Sequence, residues 1–298
     1  MQTPPNRVIA LGFFDGVHLG HQAILRKTAD RARQLRLAAA VLAFDAHPLT
    51  CITGTAVPLL QTPDERAEKI HRLIGVTEHL PLFFDEILRR MPWDKFLAML
   101  IEQFGARHLV CGQDFTFGYQ GAGNAARLQA AATKLGIGCD IIAEVKQGGA
   151  AVHSSRIRTL LQKGNLQRAN QFLGEPYRLT KVVEHGRKIG RTLGAPTINM
   201  HIPPAQLTLP HGVYATRVLL ERPYCSVTNI GIRPTVAAEK LTRVMAESFI
   251  LDYNGDLYGQ TLSVEFYKHL RPEQKFESLK ALREQIHSDA AAVRGYFA

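Results

Sequence analysis

Over the first 150 or so residues the hydrophobic positions fall into short continuous runs separated by stretches of helical period. The runs are Val8 to Leu11, Ala38 to Phe44, His79 to Phe84, His108 to Cys111 and Asp140 to Val145. Between the first two, Gln22 to Gln34 contains no glycine or proline and places Ala23, Leu25, Ala29 and Ala32 at helical spacing, which predicts a helix. Thr62-Pro63-Asp64-Glu65 reads as a helix start, with Thr62 as cap, proline in the first turn and Glu65 closing a capping box; this helix runs to about Ile74. Further helices are predicted from about Trp93 to Phe104, ended by Gly105, and from Asn124 to Leu135, ended by Gly136. Five strands alternating with helices predict an α/β, doubly wound, mainly parallel sheet.

Around Gly174-Glu175-Pro176 the pattern changes, and residues alternate or run β-branched and aromatic over Val213 to Leu220, Arg243 to Leu251 and Thr261 to Tyr267. These predict a C-terminal antiparallel β-barrel of about six strands, with Asn254-Gly255 as a turn between the last two. From Ser278, Leu279, Leu282 and Ile286 mark an amphipathic C-terminal helix packed outside the barrel. The expected domains are 1–176 and 177–298.

Composition narrows the class. With 298 residues, 46% of them hydrophobic, the chain can bury two ordinary cores. No apolar stretch approaches the roughly 20 residues of a membrane span, and the N-terminus lacks a secretory pattern, so the expected location is cytoplasmic. Cys51, Cys111, Cys139 and Cys225 are scattered with no C-x-x-C, which suggests reduced structural thiols. Residues from Tyr177 onward carry 16 Lys+Arg and 11 Asp+Glu of the 36 and 26 in the whole chain, so each part has a net charge of +5. Without a basic block, that excess suits polyphosphate substrates better than a nucleic-acid footprint.

Candidate chemistry gathers at the ends of strands. In an open parallel sheet, ligands bind beyond the carboxyl ends of the strands, and three unusual segments follow strands directly: Gly12 to His21, Phe44 to Pro48 and Gly112 to Gly123. In the first, Gly12, Gly16 and Gly20 let backbone approach a ligand, and the following helix start attracts an anion. His18 and His21, three apart, can both donate to phosphoryl oxygens as charge develops on them; the alternative is that one packs and the other caps. Farther on, Ser154 or Ser155 can cap a short helix whose first turns carry Arg156 and Arg158, side chains suited to a triphosphate.

The ten residues Gly12-Phe-Phe-Asp-Gly-Val-His-Leu-Gly-His21 resemble the signature of nucleotidyltransferases, most closely that of bacterial bifunctional riboflavin kinase/FAD synthetases. Phe44-Asp45-Ala46-His47-Pro48 and Gly112-Gln113-Asp114-Phe115-Thr116-Phe117-Gly118 resemble further motifs of that family. Ser154-Ser155-Arg156-Ile157-Arg158 resembles a third, with His153 where the family has serine. The resemblance implies that Gly12, Phe14, Asp15, Gly20, Asp114, Ser155, Arg156 and Arg158 bind substrate and that His18 and His21 are catalytic.

It extends into the second half. Gly186 to Asn199 is a glycine-rich basic stretch containing Gly190 and Arg191, and it ends in Pro196-Thr197-Ile198-Asn199. Oxygen-bearing side chains at Thr197 and Asn199 would share one face of a strand and could hold Mg²⁺ on ATP phosphates. The kinase half of the family carries a similar Gly-Arg-x-Leu-Gly-x-Pro-Thr-Ala-Asn, and Asn229 to Thr235 and Glu247 to Tyr253 resemble two more of its motifs. Glu247, on a face with Met245, Phe249 and Leu251, is the candidate base for removing a proton from a primary alcohol. This chain departs from the family at Ile198 (small alanine), Ala195 (commonly aromatic) and Phe249 (usually histidine). The implied enzyme phosphorylates riboflavin to FMN with MgATP and joins FMN to AMP from a second ATP, giving FAD and pyrophosphate; no nucleic acid or membrane partner is expected. Two rivals are a monofunctional nucleotidyltransferase with a regulatory barrel and an RNA-binding or tRNA-charging protein. The latter lacks the Lys-Met-Ser-Lys-Ser partner of the His-x-Gly-His loop.

Overall fold

A computed structural model describes residues 4–44, 47–185, 197–234 and 242–298, and these divide into two compact units, Met1–Ser154 and Ser155–Ala298. In the first unit, strands β1 (Arg7–Ala10), β2 (Ala38–Phe44), β3 (Glu78–Leu82), β4 (Ala106–Gly112) and β7 (Gly138–Ile142) form one parallel sheet in the order β3-β2-β1-β4-β7. Two short pairs complete the strands: β5 (Thr116–Phe117) with β6 (Gly123–Asn124), and β8 (Lys146–Gln147) with β9 (Ala150–Ala151). The helices are α1 (Leu19–Leu35), α2 (Pro48–Thr53), α3 (Pro63–Ile74), α4 (Glu86–Arg90), α5 (Trp93–Glu102) and α6 (Ala125–Lys134).

Alternation within β1 separates the two cores. Val8 and Ala10 pack with Ile24, Leu25 and Ala32 of α1 and Ile70 of α3; Ile9 and Leu11 pack with Leu97 and Leu100 of α5 and Leu128 of α6. Such double coverage is what continuous apolar strands require. The Thr62–Glu65 capping box forms as expected, and Asn124 caps α6. β7 starts earlier than the apolar pattern indicates, because a Cβ at Gly138 would lie 1.9 Å from His108 Nδ1. Glycine is therefore what lets the two strands pair beside that ring. The sheet runs left from β1 to β2 and β3 and right to β4 and β7, so the topological switch lies between β1 and β4.

The second unit holds α7 (Ser154–Gln162, entered from the last residue of the first unit), α8 (Leu166–Leu173) and a six-stranded antiparallel sheet. Its strands are β10 (Tyr177–Val182), β11 (Thr197–Ile202), β12 (Gly212–Leu219), β13 (Pro223–Pro234), β14 (Thr242–Ile250) and β15 (Thr261–Pro272), in the order β10-β15-β12-β13-β14-β11. Glu184, just past β10, donates its N–H to Asn199 O at 2.8 Å and closes the sheet into a barrel. α8 belongs to the barrel: Asn170 donates to Phe266 O at 2.9 Å and accepts from Tyr177 N at 2.8 Å. The C-terminal helix Leu279–Phe297, capped by Ser278, covers Val213, Ala215 and Val227 on the outer face. The Asn254-Gly255 hairpin is not formed. β14 and β15 are not neighbours, and the left-handed positions in their connection are Asp252 and Gly259.

Inside the barrel runs a chain of hydroxyls that the hydrophobic pattern does not announce. Thr216 Oγ1 meets Ser226 Oγ and Thr228 Oγ1, and Thr228 Oγ1 meets Ser248 Oγ, each at 2.7 Å and all four residues fully buried. Thr228→Val keeps the shape and removes the middle link, so it should destabilise the barrel by about 1–3 kcal/mol. Scanning calorimetry checks this, and an unchanged barrel transition would contradict it.

Candidate active sites

The Gly12–His21 loop leaves β1 at the switch point and enters α1. His18 caps that helix, its Nδ1 accepting the His21 N–H at 3.2 Å, so its ring proton resides on Nε2. The His18 and His21 rings stack with centroids 3.5 Å apart and planes 18° from parallel. Burial, then the charge at His153 and Lys69, pushes His18 down to about 3; burial and the charges at His18, Arg66 and Lys69 push His21 well down. Both rings are therefore neutral near pH 7 and hold their protons as hydrogen-bond donors.

Several neighbours expected to contact substrate are engaged within the protein. Phe14 is 1% exposed and edge-on to His21 at 5.3 Å, and a Cβ on Gly12 would meet its ring at 2.9 Å. The Asp15 carboxylate, also 1% exposed, accepts the Leu60 N–H at 2.9 and 3.1 Å and the Gln61 N–H at 3.3 Å. These three residues shape the loop from inside. A Cβ on Gly20 would lie 3.1 Å from the His18 ring and 3.6 Å from Val152 O, so this glycine gives the imidazole its place.

The loop after β4 converges on the same edge, as the topology predicted. Asp114 is mostly exposed, with Oδ2 3.9 Å from His153 Nδ1, while His153 Nε2 lies 3.2 Å from Glu144 Oε1. Ser154 Oγ donates to Asp15 O at 2.9 Å. Ser155, Arg156 and Arg158 belong to α7 in the second unit; two residues apart on a helix, the arginines diverge by about 200°, and Arg156 is the exposed one. The sequence reading missed Arg66 and Lys69. They are 5% and 3% exposed, on a helix of which the sequence reading gave only the capped start and the extent.

In the barrel, register brings a second constellation together. Asn199 lies opposite Glu247 and Glu247 opposite Asn229, so one outward row crosses β11, β14 and β13. Thr197 lies two residues along the same face, opposite Phe249, and Ile198 points to the interior opposite Ser248. Asn199 is 2% exposed, and its Oδ1 has no hydrogen-bond partner among the described residues. Such an oxygen fits a hard cation, or a donor, as its missing partner. Asn229 Nδ2 donates to Glu273 Oε1 at 2.9 Å, a link with no counterpart in the sequence reading. No cluster of three or more His, Cys, Asp or Glu side chains able to hold a metal exists among the described residues. Gly190, Arg191, Ala195 and Thr235 lie outside the described residues, as do Asp45 and Ala46 of the motif after β2.

Two family profiles match the chain: FAD synthetase over residues 1–156 and riboflavin kinase over residues 173–297. Among curated proteins it is similar to bifunctional riboflavin kinase/FMN adenylyltransferases. Identity is 36% to that of Pseudomonas fluorescens (96% of this chain, 92% of the relative), 33% to that of Bacillus subtilis (97% and 92%) and 34% to that of Escherichia coli K12 (97% and 92%). Among solved structures it resembles one described as a macrolide-efflux protein from Streptococcus pneumoniae, with TM-score 0.85 and 29% identity over 99% of this chain and 95% of that one. No described helix of the present chain is long and apolar enough to cross a membrane.

The buried rings give the stability a definite pH dependence. Free histidine protonates near about 6.5, whereas folded His18 resists until about 3. Between those values the unfolded chain binds more protons, so stability falls as pH drops through this window. The unfolding temperature of His18→Asn, which has no proton to take up there, should fall less than that of wild type between about pH 6.5 and pH 4.5. Parallel curves would show that His18 is not buried as a neutral ring.

Proposed function

The chain belongs to the bifunctional riboflavin kinase/FMN adenylyltransferase family, and we propose a working division of its two reactions among the residues described above. The protein phosphorylates riboflavin to FMN and adenylylates FMN to FAD. What supports the division is that two polar constellations lie each within its own compact unit: the His18–His21 pair and the Asn199–Glu247–Asn229 row. The riboflavin kinase profile begins at 173 and the FAD synthetase profile ends at 156. We place the functional border near Pro176, with 1–176 serving adenylylation and 177–298 phosphorylation.

In adenylylation, an FMN phosphate oxygen attacks the α-phosphorus of ATP, the new P–O bond forms and the bond to the β-phosphate oxygen breaks, releasing pyrophosphate. FMN phosphate is already anionic at neutral pH, so no base is required. The need is for donors around the α-phosphoryl oxygens, and two neutral imidazoles carrying ring N–H groups provide them. Asp114 and Gly20 are the substrate contacts that remain in the proposal from the first unit, and Ser155, Arg156 and Arg158, on α7 in the second unit, stay in it on the family resemblance alone. Gly12, Phe14 and Asp15 contribute by shaping the loop.

Phosphorylation sets the opposite problem, since riboflavin offers a neutral primary hydroxyl. Glu247 would take its proton as the oxygen attacks the γ-phosphorus and ADP departs. Asn199 Oδ1 and the Thr197 hydroxyl would hold Mg²⁺ that neutralises the ATP phosphates, and Gly190 and Arg191 would cover the nucleotide. Phe249, beside Thr197 in register, adds apolar surface where a flavin ring could lie. The setting we propose is cytoplasmic.

Mutation separates the halves. His21→Ala should lower FAD formation from supplied FMN by about 10²-fold or more while riboflavin phosphorylation persists. Glu247→Gln should do the reverse, lowering phosphorylation by about 10²-fold. Chromatographic separation of flavins reads both. Loss of both activities in a folded single variant would defeat the division.

A further inference from the structure

The loop between β1 and α1 holds its acceptors in an unusual way. From Phe13 to His18 every backbone carbonyl has a partner inside the protein: Phe13 O accepts from Arg66 at 2.9 Å, Phe14 O from Val17 N at 3.0 Å and Asp15 O from Ser154 Oγ at 2.9 Å. Gly16 O accepts from Lys69 Nζ at 3.0 Å, Val17 O from Gln22 Nε2 at 3.0 Å and His18 O from Gln22 N at 2.8 Å. The backbone that achieves this is strained. Phe14, Gly16 and Val17 have φ of 57°, 84° and 40°, and a β-branched residue there is an outlier that costs about 1–3 kcal/mol.

Two of the six partners are buried cations from one helix. Arg66 and Lys69 are three apart on α3, hence on one face, and the Thr62–Glu65 capping box fixes where that helix starts. Arg66 also donates to Phe44 O at 2.8 Å and lies 4.7 Å over the Phe13 ring, tying the ends of β1 and β2 together. Just before α3, the Leu60 and Gln61 amides take the Asp15 carboxylate, so one continuous stretch from Leu60 to Lys69 grips the loop at four points.

We infer that Arg66 and Lys69 are positioning residues for adenylyl transfer: they hold the loop's carbonyls away from the nucleotide phosphates and set positive charge behind the His18–His21 pair. This rests on the adenylylation assignment above. A neutral donor could satisfy either carbonyl, but it would supply no charge. The charged groups acting on the two rings are consistent with the placement: Lys69 and His153 on His18, and Arg66, Lys69 and His153 on His21, with the Asp15 carboxylate beside Arg66.

The test uses the full chain with Lys69→Met, which removes bond and charge, and Lys69→Gln, which can keep a donor for Gly16 O without the charge. Lys69→Met should lower kcat for FAD formation by about tenfold or more, the scale of misplacing a reacting group. KM should change little, and riboflavin phosphorylation should stay within about twofold, well short of the tenfold scale of misplacement. In Lys69→Gln the His18 ring, followed by NMR of its Cε1 proton, should titrate at higher pH than in wild type. A wild-type kcat in Lys69→Met, an unmoved His18 titration in Lys69→Gln, or equal loss of both activities would each overturn the inference, the last by making Lys69 a general folding residue. If wild-type protein formed no FAD from FMN, the adenylylation assignment would fall, and the titration would still decide whether Lys69 charges this site.

Discussion

A backbone loop that is to receive an anion must first dispose of its own carbonyls, and the first unit is arranged around that constraint. Six consecutive acceptors, from Phe13 to His18, are taken by partners from α1, α3, the start of α7 and, for Phe14 O, the loop's own Val17 N–H. The left-handed residues that turn them inward are held only because those partners exist. The sheet order then matters for a plain reason: the loop leaves β1 at the switch between β1 and β4, the place where open parallel sheets bind ligands, and Asp114, from the loop after β4, comes within 3.9 Å of His153.

The barrel solves a complementary problem with the opposite sign. Its outward row is rich in oxygen: the Glu247 carboxylate, Asn199 Oδ1, which has no hydrogen-bond partner among the described residues, and, two residues along, the Thr197 hydroxyl. Oxygens repel phosphate unless a cation lies between, whereas the N–H donors and buried cations of the first unit attract it directly. The barrel interior keeps its own polar atoms out of this chemistry by pairing Thr216, Ser226, Thr228 and Ser248 with one another.

Much of this was legible in the sequence because it depends on local periodicity. Continuous apolar runs gave the five parallel strands, the Thr62–Glu65 box gave the start of α3, and i, i+2 spacing correctly put Thr197 and Asn199 on one face with Ile198 turned inward. What stayed hidden depends on partners distant in sequence. Arg66 and Lys69 look like solvated helix charges until the carbonyls of Phe13 and Gly16, 53 residues away, are placed against them. Asp15 looks like a ligand contact until the Leu60 amide is found on it. Asn254-Gly255 looks like a hairpin turn, but β12 and β13 intervene between β14 and β15 in the sheet, so no hairpin can form there. In each case a partner distant in sequence decides the role.

The two chemistries also explain why the electrostatics differ between the units. FMN phosphate is an anion before it reacts, so its site must lower repulsion between nucleophile and ATP; fixed donors and buried positive charge do that without any proton moving. Riboflavin's hydroxyl is neutral and must lose a proton as it reacts, so its site needs a carboxylate, and a carboxylate tolerates ATP only with a metal between them. Beside His18 and His21 the Asp15 carboxylate is turned to the Leu60 and Gln61 amides. A buried lysine beside Glu247 would pair with the base and blunt it. On the proposed assignment each constellation would hinder the other's chemistry, and the two lie in separate compact units.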